Sequence, residues 1–247
     1  MGLIRTRLGY DRTRILDAAA RARSRKKRER AIALYRWVLA AEPKNLELHG
    51  KLGPLLAESG QHFDAWSSFR TVARLHLRAG EADNALAAYR EAALYLPQEV
   101  QAWQAIGRLQ AKRGQRREAV ETLLEGSRQF RTRWLRPQAI HLLRRARDLD
   151  PWNFEVVIDL ACLLAIQEQG REAHILLAGM VARSDGERLR RVRSAQFRVR
   201  PSPRAAWRWL EAALRPVPDP APPPAPARHR PAGVVQIHEA TSRRASL

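Results

Sequence analysis

Residues 21–30 read RARSRKKRER and offer the densest chemistry in the chain. Arg21, Arg23, Arg25, Lys26, Lys27, Arg28 and Arg30 face a single acid, Glu29. Cations packed this closely suit nucleic acid, an anionic surface or an acidic protein. The same composition also suits a solvated helix end and turn at the rim of a helical stack. The whole chain leans the same way: 247 residues carry a formal net charge of +20. That charge is uneven, at +9 over residues 1–45, −2 over 46–99, +7 over 100–153 and +4 over 154–218. A neutral stretch in the middle is less than a continuous basic groove needs. Nor does any aromatic set recur with the basic residues at a fixed spacing for stacking bases.

Other residue types could carry chemistry, and each is better read as structural. Cys162 is the only cysteine, so no internal disulfide forms, and a reducing compartment fits. It sits in the apolar run IDLACLLAI and reads as a buried thiol rather than a nucleophile. His49 and His76 read as partly buried packing histidines, because no carboxylate or histidine cluster with ligand spacing accompanies them. The phosphate-loop, dinucleotide, nucleophile-elbow and zincin motifs are all absent. No enzyme activity, cofactor or small-molecule substrate is therefore expected. The N-terminus has no apolar run of signal-peptide length and no segment reaches membrane-span length, so the expected location is cytoplasmic.

The elements that hold these residues repeat. Ala65, Ala119 and Ala173 are spaced 54 apart, as are Phe69, Leu123 and Leu177. Gly60 meets Gly114, and Pro97 meets Pro151. A second pattern runs before each proline: Ala85, Tyr89, Ala92, Pro97, then Ala139, Leu143, Ala146, Pro151. It recurs as Ala31, Tyr35, Val38, Pro43 and as Ala206, Leu210, Ala213, Pro218. Small and apolar residues three and four apart place one stripe on each of two helices, with glycine turning the chain between them.

This pattern resembles the tetratricopeptide repeat, a 34-residue helix pair with a turn glycine and A-x3-F-x2-A-x4-P in its second helix. The resemblance covers residues 11–184 and resumes at 203–218. It implies an all-α fold, an α-solenoid of stacked repeats that offers a long surface to partner proteins. The period of 54 departs from the family's 34 and predicts three helices per unit with the middle one shared.

The expected organisation is a flexible lead-in at 1–10, a helix pair with the basic run at 11–45, and three-helix units at 46–99 and 100–153. A third, interrupted unit with a capping helix then fills 154–215, and a disordered Pro/Ala-rich tail fills 216–247. Pro54 predicts a kink inside its helix. Gly170 stands two positions late as a turn, which predicts a longer helix before it. Residues 184–203 look poorly periodic, with a short helix near 187–195. Trp207 and Trp209 of the last helix are expected to cover apolar surface.

Two functions follow. The first is a protein-interaction scaffold or adaptor. If the family's geometry holds, Gln101, Gln104, Arg108 and Lys112 line its inner face, which is polar and basic and suits an acidic peptide or partner. The second is a basic helical repeat protein that binds nucleic acid.

Overall fold

The computed structural model describes residues 11–130 and 132–214. The lead-in at 1–10 and the tail at 216–247 lie outside the described residues. Twelve α-helices and one 3-10 turn follow one another, with no strand among the described residues. The first pair is α1 (Arg12–Ser24) and α2 (Arg28–Ala41). Next come α3 (Leu46–Glu58), α4 (His62–Arg78) and α5 (Ala82–Tyr95). They are followed by α6 (Val100–Lys112), α7 (Arg116–Ser127) and, after the 3-10 turn (Arg133–Leu135), α8 (Arg136–Leu149). The chain continues through α9 (Phe154–Ile166), α10 (Gly170–Val181), α11 (Gly186–Val199) and α12 (Pro203–Leu214).

Local chemistry sets the helix starts. Asn45 and Asn153 accept the amides of Leu48 and Val156 at 3.1 and 3.2 Å, and Glu99 caps α6 through the amide of Gln101. Such a cap is worth about 0.5–2 kcal/mol. The ends of α3, α6 and α9 also match. Gly60 (φ 76°), Gly114 (φ 79°) and Glu168 (φ 63°) all adopt the left-handed conformation. The next amide then closes each turn: Gln61 onto Leu56, Gln115 onto Gln110 and Gln169 onto Leu164, at 2.9, 3.0 and 2.9 Å. The turn residue of the third copy is therefore Glu168, not Gly170, which is the first residue of α10. Helix α9 is no longer than α3 or α6, all three having 13 residues. Helix α3 runs on through Pro54 to Glu58.

Packing repeats with the same register. Helix α4 packs on α3 and α5, α7 on α6 and α8, and α10 on α9 and α11. Ala65, Ala119 and Ala173 are wholly buried. Gly53 and Gly107 leave room for Phe69 and Leu123: a methyl on either glycine would lie 3.0 or 2.9 Å from those side chains. Ala161 and Leu177 hold the same register and are also fully buried. At Gly126 the fit is tighter, because a methyl there would lie 2.6 Å from the Trp103 ring.

Ion pairs tie neighbouring helices on the outside. Arg36 donates to Gln61 at 2.8 Å and also to Asp64. Two units on, Arg144 donates to Gln169 at 3.3 Å and to Glu172 at 2.8 Å. Arg90, Gln115 and Glu118 hold the middle register, yet the Gln115 Oε1 is buried without a partner.

The C-terminal third differs most from expectation. The short helix near 187–195 is a helix of 14 residues, α11, which buries Val192 and Ala195 against α9 and α10. Its five arginines hide a two-residue apolar contact that periodicity alone does not register. Helix α12 packs on α11. Trp209 stacks on Phe197 with centroids 6.3 Å apart, but Trp207 is 68% exposed and covers little. The single stripe of α12 that turns inward centres on Ala212, which places Trp207 and Leu214 outside.

Candidate functional site

Helix α6 carries the four residues expected on a binding face. Gln101, Gln104, Arg108 and Lys112 follow at spacings of three, four and four, which puts them along one side. Gln101, Arg108 and Lys112 are exposed and Gln104 is half-buried. Gln104 and Arg108 line a cavity of about 170 Å³ together with Arg145, Asp148 and Leu149 of α8. Gln101 and Lys112 lie outside that lining.

The basic run straddles the α1–α2 link. Arg21 and Arg23 close α1, Lys26 takes the left-handed turn (φ 57°), and Arg28 opens α2. All seven cations are exposed. Among the described residues Arg28 alone of the seven pairs with a carboxylate, its Nε lying 2.9 Å from Glu58 Oε2.

A third group was not singled out by sequence. Trp66 and Arg70 stand on α4, with Arg74 one turn on, and Tyr89 stands on α5. The rings of Trp66 and Tyr89 lie 6.1 Å apart, and the Arg70 guanidinium lies 6.0 Å from the Trp66 ring centre. Burial pushes the Tyr89 hydroxyl pKa up, while Arg108, Arg74 and Arg70 pull it back. The signal was present in sequence as a Trp-x3-Arg-x3-Arg stripe, but segment charge concealed it. Residues 46–99 sum to −2, yet five of their seven acids are held in ion pairs. Glu47 pairs with Lys51, Glu58 with Arg28, Asp64 with Arg36, Glu81 with His76 and Asp83 with Arg113. Arg70, Arg74 and Arg108 pair with no carboxylate among the described residues.

A fourth group, on α9 and α11, is self-contained. Arg191 grips Glu155 with two bonds of 2.7 and 2.8 Å, which hold the Glu155 pKa low. Arg191 and Arg188 lie over the Phe154 ring at 4.9 and 5.8 Å. Burial pushes Asp159 up, and it pushes the half-buried Cys162 thiol up as well, away from the reactive thiolate.

The histidines serve packing. His49 Nε2 meets the Pro43 carbonyl at 3.0 Å, and Trp103 Nε1 donates to the Pro97 carbonyl at 2.9 Å, the same bond 54 residues on. His76 Nδ1 lies 2.6 Å from Glu81. Among the described residues no three His, Cys, Asp or Glu side chains gather as a metal site, and no helix is long and apolar enough to cross a membrane.

No family model and no curated protein matches the chain. Solved structures similar to it include a tetratricopeptide repeat protein from Parabacteroides merdae, at 14% identity and TM-score 0.32 over 82% of this chain and 92% of that one. The tetratricopeptide domain of P58(IPK) matches at 14% identity and TM-score 0.29, over 83% of this chain and 67% of that one. Yeast Tom70 matches at 17% identity and TM-score 0.27, over 73% of this chain and 46% of that one. At such values the likeness says nothing of partners. By its own register of helices, turns and small-residue contacts, the chain is an α-solenoid of tetratricopeptide-like repeats.

Proposed function

We propose that this chain is a non-catalytic protein–protein interaction scaffold or adaptor that holds an acidic peptide or acidic partner segment. Its units are read as 11–45, 46–99, 100–153 and 154–215, each stacked on the next. One observation carries the reading: Arg70, Arg74 and Arg108 pair with no carboxylate among the described residues, while Glu58, Asp64 and Asp83 are held by Arg28, Arg36 and Arg113. Gln101, Gln104, Arg108 and Lys112 lie along one side of α6. A stack of helices offers length rather than an enclosed cavity, which suits an extended segment or a partner helix.

A second reading rests on the seven exposed cations at the α1–α2 link, of which only Arg28 is paired. That patch suits nucleic acid. One experiment separates the two: affinity capture from the native host with and without nuclease, at low and moderate salt. The scaffold reading expects a defined protein set that survives both. Phosphate-driven binding loses roughly 10³–10⁵ in affinity over a fourfold rise in salt. Loss of every bound species with nuclease or salt overturns the scaffold reading.

A further inference from the structure

The repeat stripe that builds the stack stands uncovered on α12. In α2 that stripe is Ala31, Ile32, Tyr35, Val38 and Leu39, and all five are buried. In α5 it is Ala85, Leu86, Tyr89, Ala92 and Ala93, and these are buried too. So are Ala139, Ile140, Leu143 and Ala146 in α8. Each of these helices is packed by the one that follows it: α2 by α3, α5 by α6 and α8 by α9. The same register in α12 reads Ala206, Trp207, Leu210, Ala213 and Leu214, at spacings that keep them on one side. There Leu210 is 42% exposed, and Trp207 and Leu214 more so. Helix α12 meets α11 by another stripe: Trp209 stacks on Phe197, and Arg190 donates to the Ala212 carbonyl at 3.0 Å. The end of a helical stack ordinarily turns a polar face outward. On α12, the last described helix, a contiguous apolar stripe faces outward instead, as at interaction sites.

We infer that this face of α12 receives an amphipathic helix of a partner protein, apolar along one stripe and acidic along one flank. The first half follows from continuity, since three earlier copies of the stripe lie in helices packed by a following helix. The second follows from charge. Arg204 and Arg208 stand one turn apart beside the stripe, both exposed, and neither pairs with a carboxylate among the described residues. Glu211 follows on the same flank and leaves it net positive. A second copy fits less well: it would set these arginines against their like, on chains of net charge +20 each. The site shares no residue with the α6 face of the scaffold reading and does not rest on it.

The test uses the full chain and a fluorescein-labelled peptide of residues 153–167 with Cys162→Ser, read by anisotropy. This is the α9 sequence, which packs on α8 and carries Glu155 and Asp159 one turn apart. Trp207→Glu and Leu210→Glu combined should weaken its binding by about tenfold or more. Phe63→Glu, at an 82% exposed aromatic on α4, should change affinity by less than about threefold. A peptide with Glu155→Gln and Asp159→Asn should bind roughly three- to tenfold more weakly. Arg204→Gln with Arg208→Gln should erase that difference between the peptides. Leu210→Ala alone, on an exposed side chain, covers the case in which the double variant melts early. No binding by wild type, or undiminished binding by the Trp207 and Leu210 variants, overturns the site. Equal binding of the two peptides overturns the acidic flank. Sedimentation of the chain alone completes the test: a dimer that Trp207→Glu returns to monomer would give the face to a second copy and overturn the partner helix. None of these variants touches Arg70, Arg74 or Arg108, so failure here leaves the scaffold reading to its own experiment.

Discussion

The α4–α6 face and the α9–α11 face use the same parts to opposite ends. Each sets arginines over an aromatic ring: Arg70 over Trp66 in one, Arg188 and Arg191 over Phe154 in the other. On α9–α11 one of the two charges is spent internally, because Arg191 grips Glu155. On α4–α6 the three guanidiniums keep their charge. Helical repeats fix where side chains stand, while the side chains decide whether a face is closed or available. A surface of this kind is read from which charges lack partners rather than from how many there are.

The comparison assumes one shared scaffold, and the largest expected effect tests that. Gly126→Ala and Ala119→Leu each force atoms into a filled helix contact. Each should cost about 1–3 kcal/mol, or about 2–4 °C in Tm per kcal/mol. An unchanged melting curve for both would show that the close contacts are not what binds the units.

Pairing is tested next. Glu155→Gln should lower stability by up to about 1 kcal/mol, as expected for a partly exposed pair with two-bond geometry. Arg108→Gln should lower it by less, since only a 3.3 Å bond from its Nε to the Gln104 carbonyl is lost and no carboxylate is left unpaired. If both variants melt alike in a thermal scan, the two faces are not different in kind.

A smaller gain is expected at Glu168. A side chain in the left-handed conformation costs about 1 kcal/mol relative to glycine. Glu168→Gly should therefore raise the denaturation midpoint in urea by roughly that energy, making the third turn like those at Gly60 and Gly114. A lower midpoint would mean that Glu168 makes a compensating contact.

The finest test splits two acids on α9. Glu155 has a lowered folded pKa, from its hydrogen bonds to Arg191. Its contribution is present above the unfolded pKa and fades as pH falls through the folded value. Asp159 has a raised folded pKa, from burial. Its carboxylate opposes folding at neutral pH, and that opposition fades as pH falls through the folded value toward the unfolded one. Asp159→Asn should stabilise at pH 7 and lose the advantage in acid, whereas Glu155→Gln should destabilise at pH 7 and lose its effect in acid. Melting curves at both pH values check the sign, and parallel behaviour of the two variants would remove the contrast.

Much of the fold was legible because helix packing writes itself into small residues. Ala65, Ala119 and Ala173 mark buried contacts, and Gly60 and Gly114 mark the turns after α3 and α6. Two features escaped for physical reasons. A glutamate in a glycine conformation carries no letter for it, so the turn at Glu168 was placed at Gly170. Helix α11 holds on by Val192 and Ala195 within an arginine-rich face, too narrow a stripe for periodicity. The Trp66–Arg108 face spans three helices and was legible only as fragments. Its segment charge of −2 pointed away from it, although three of the seven acids, Glu58, Asp64 and Asp83, are held by arginines outside the segment.

His49 and Trp103 carry a consequence beyond their own contacts. One imidazole and one indole deliver an N–H to equivalent proline carbonyls, those of Pro43 and Pro97, 54 residues apart. Between these two units the quantity carried over is a vector, a donor at a fixed point aimed in a fixed direction, whereas Val157, next in register, brings no donor. The alphabet that satisfies it is wide. A chain governed by such vectors can exchange most of its letters and keep its architecture, which leaves its surfaces free to acquire different chemistry in each unit.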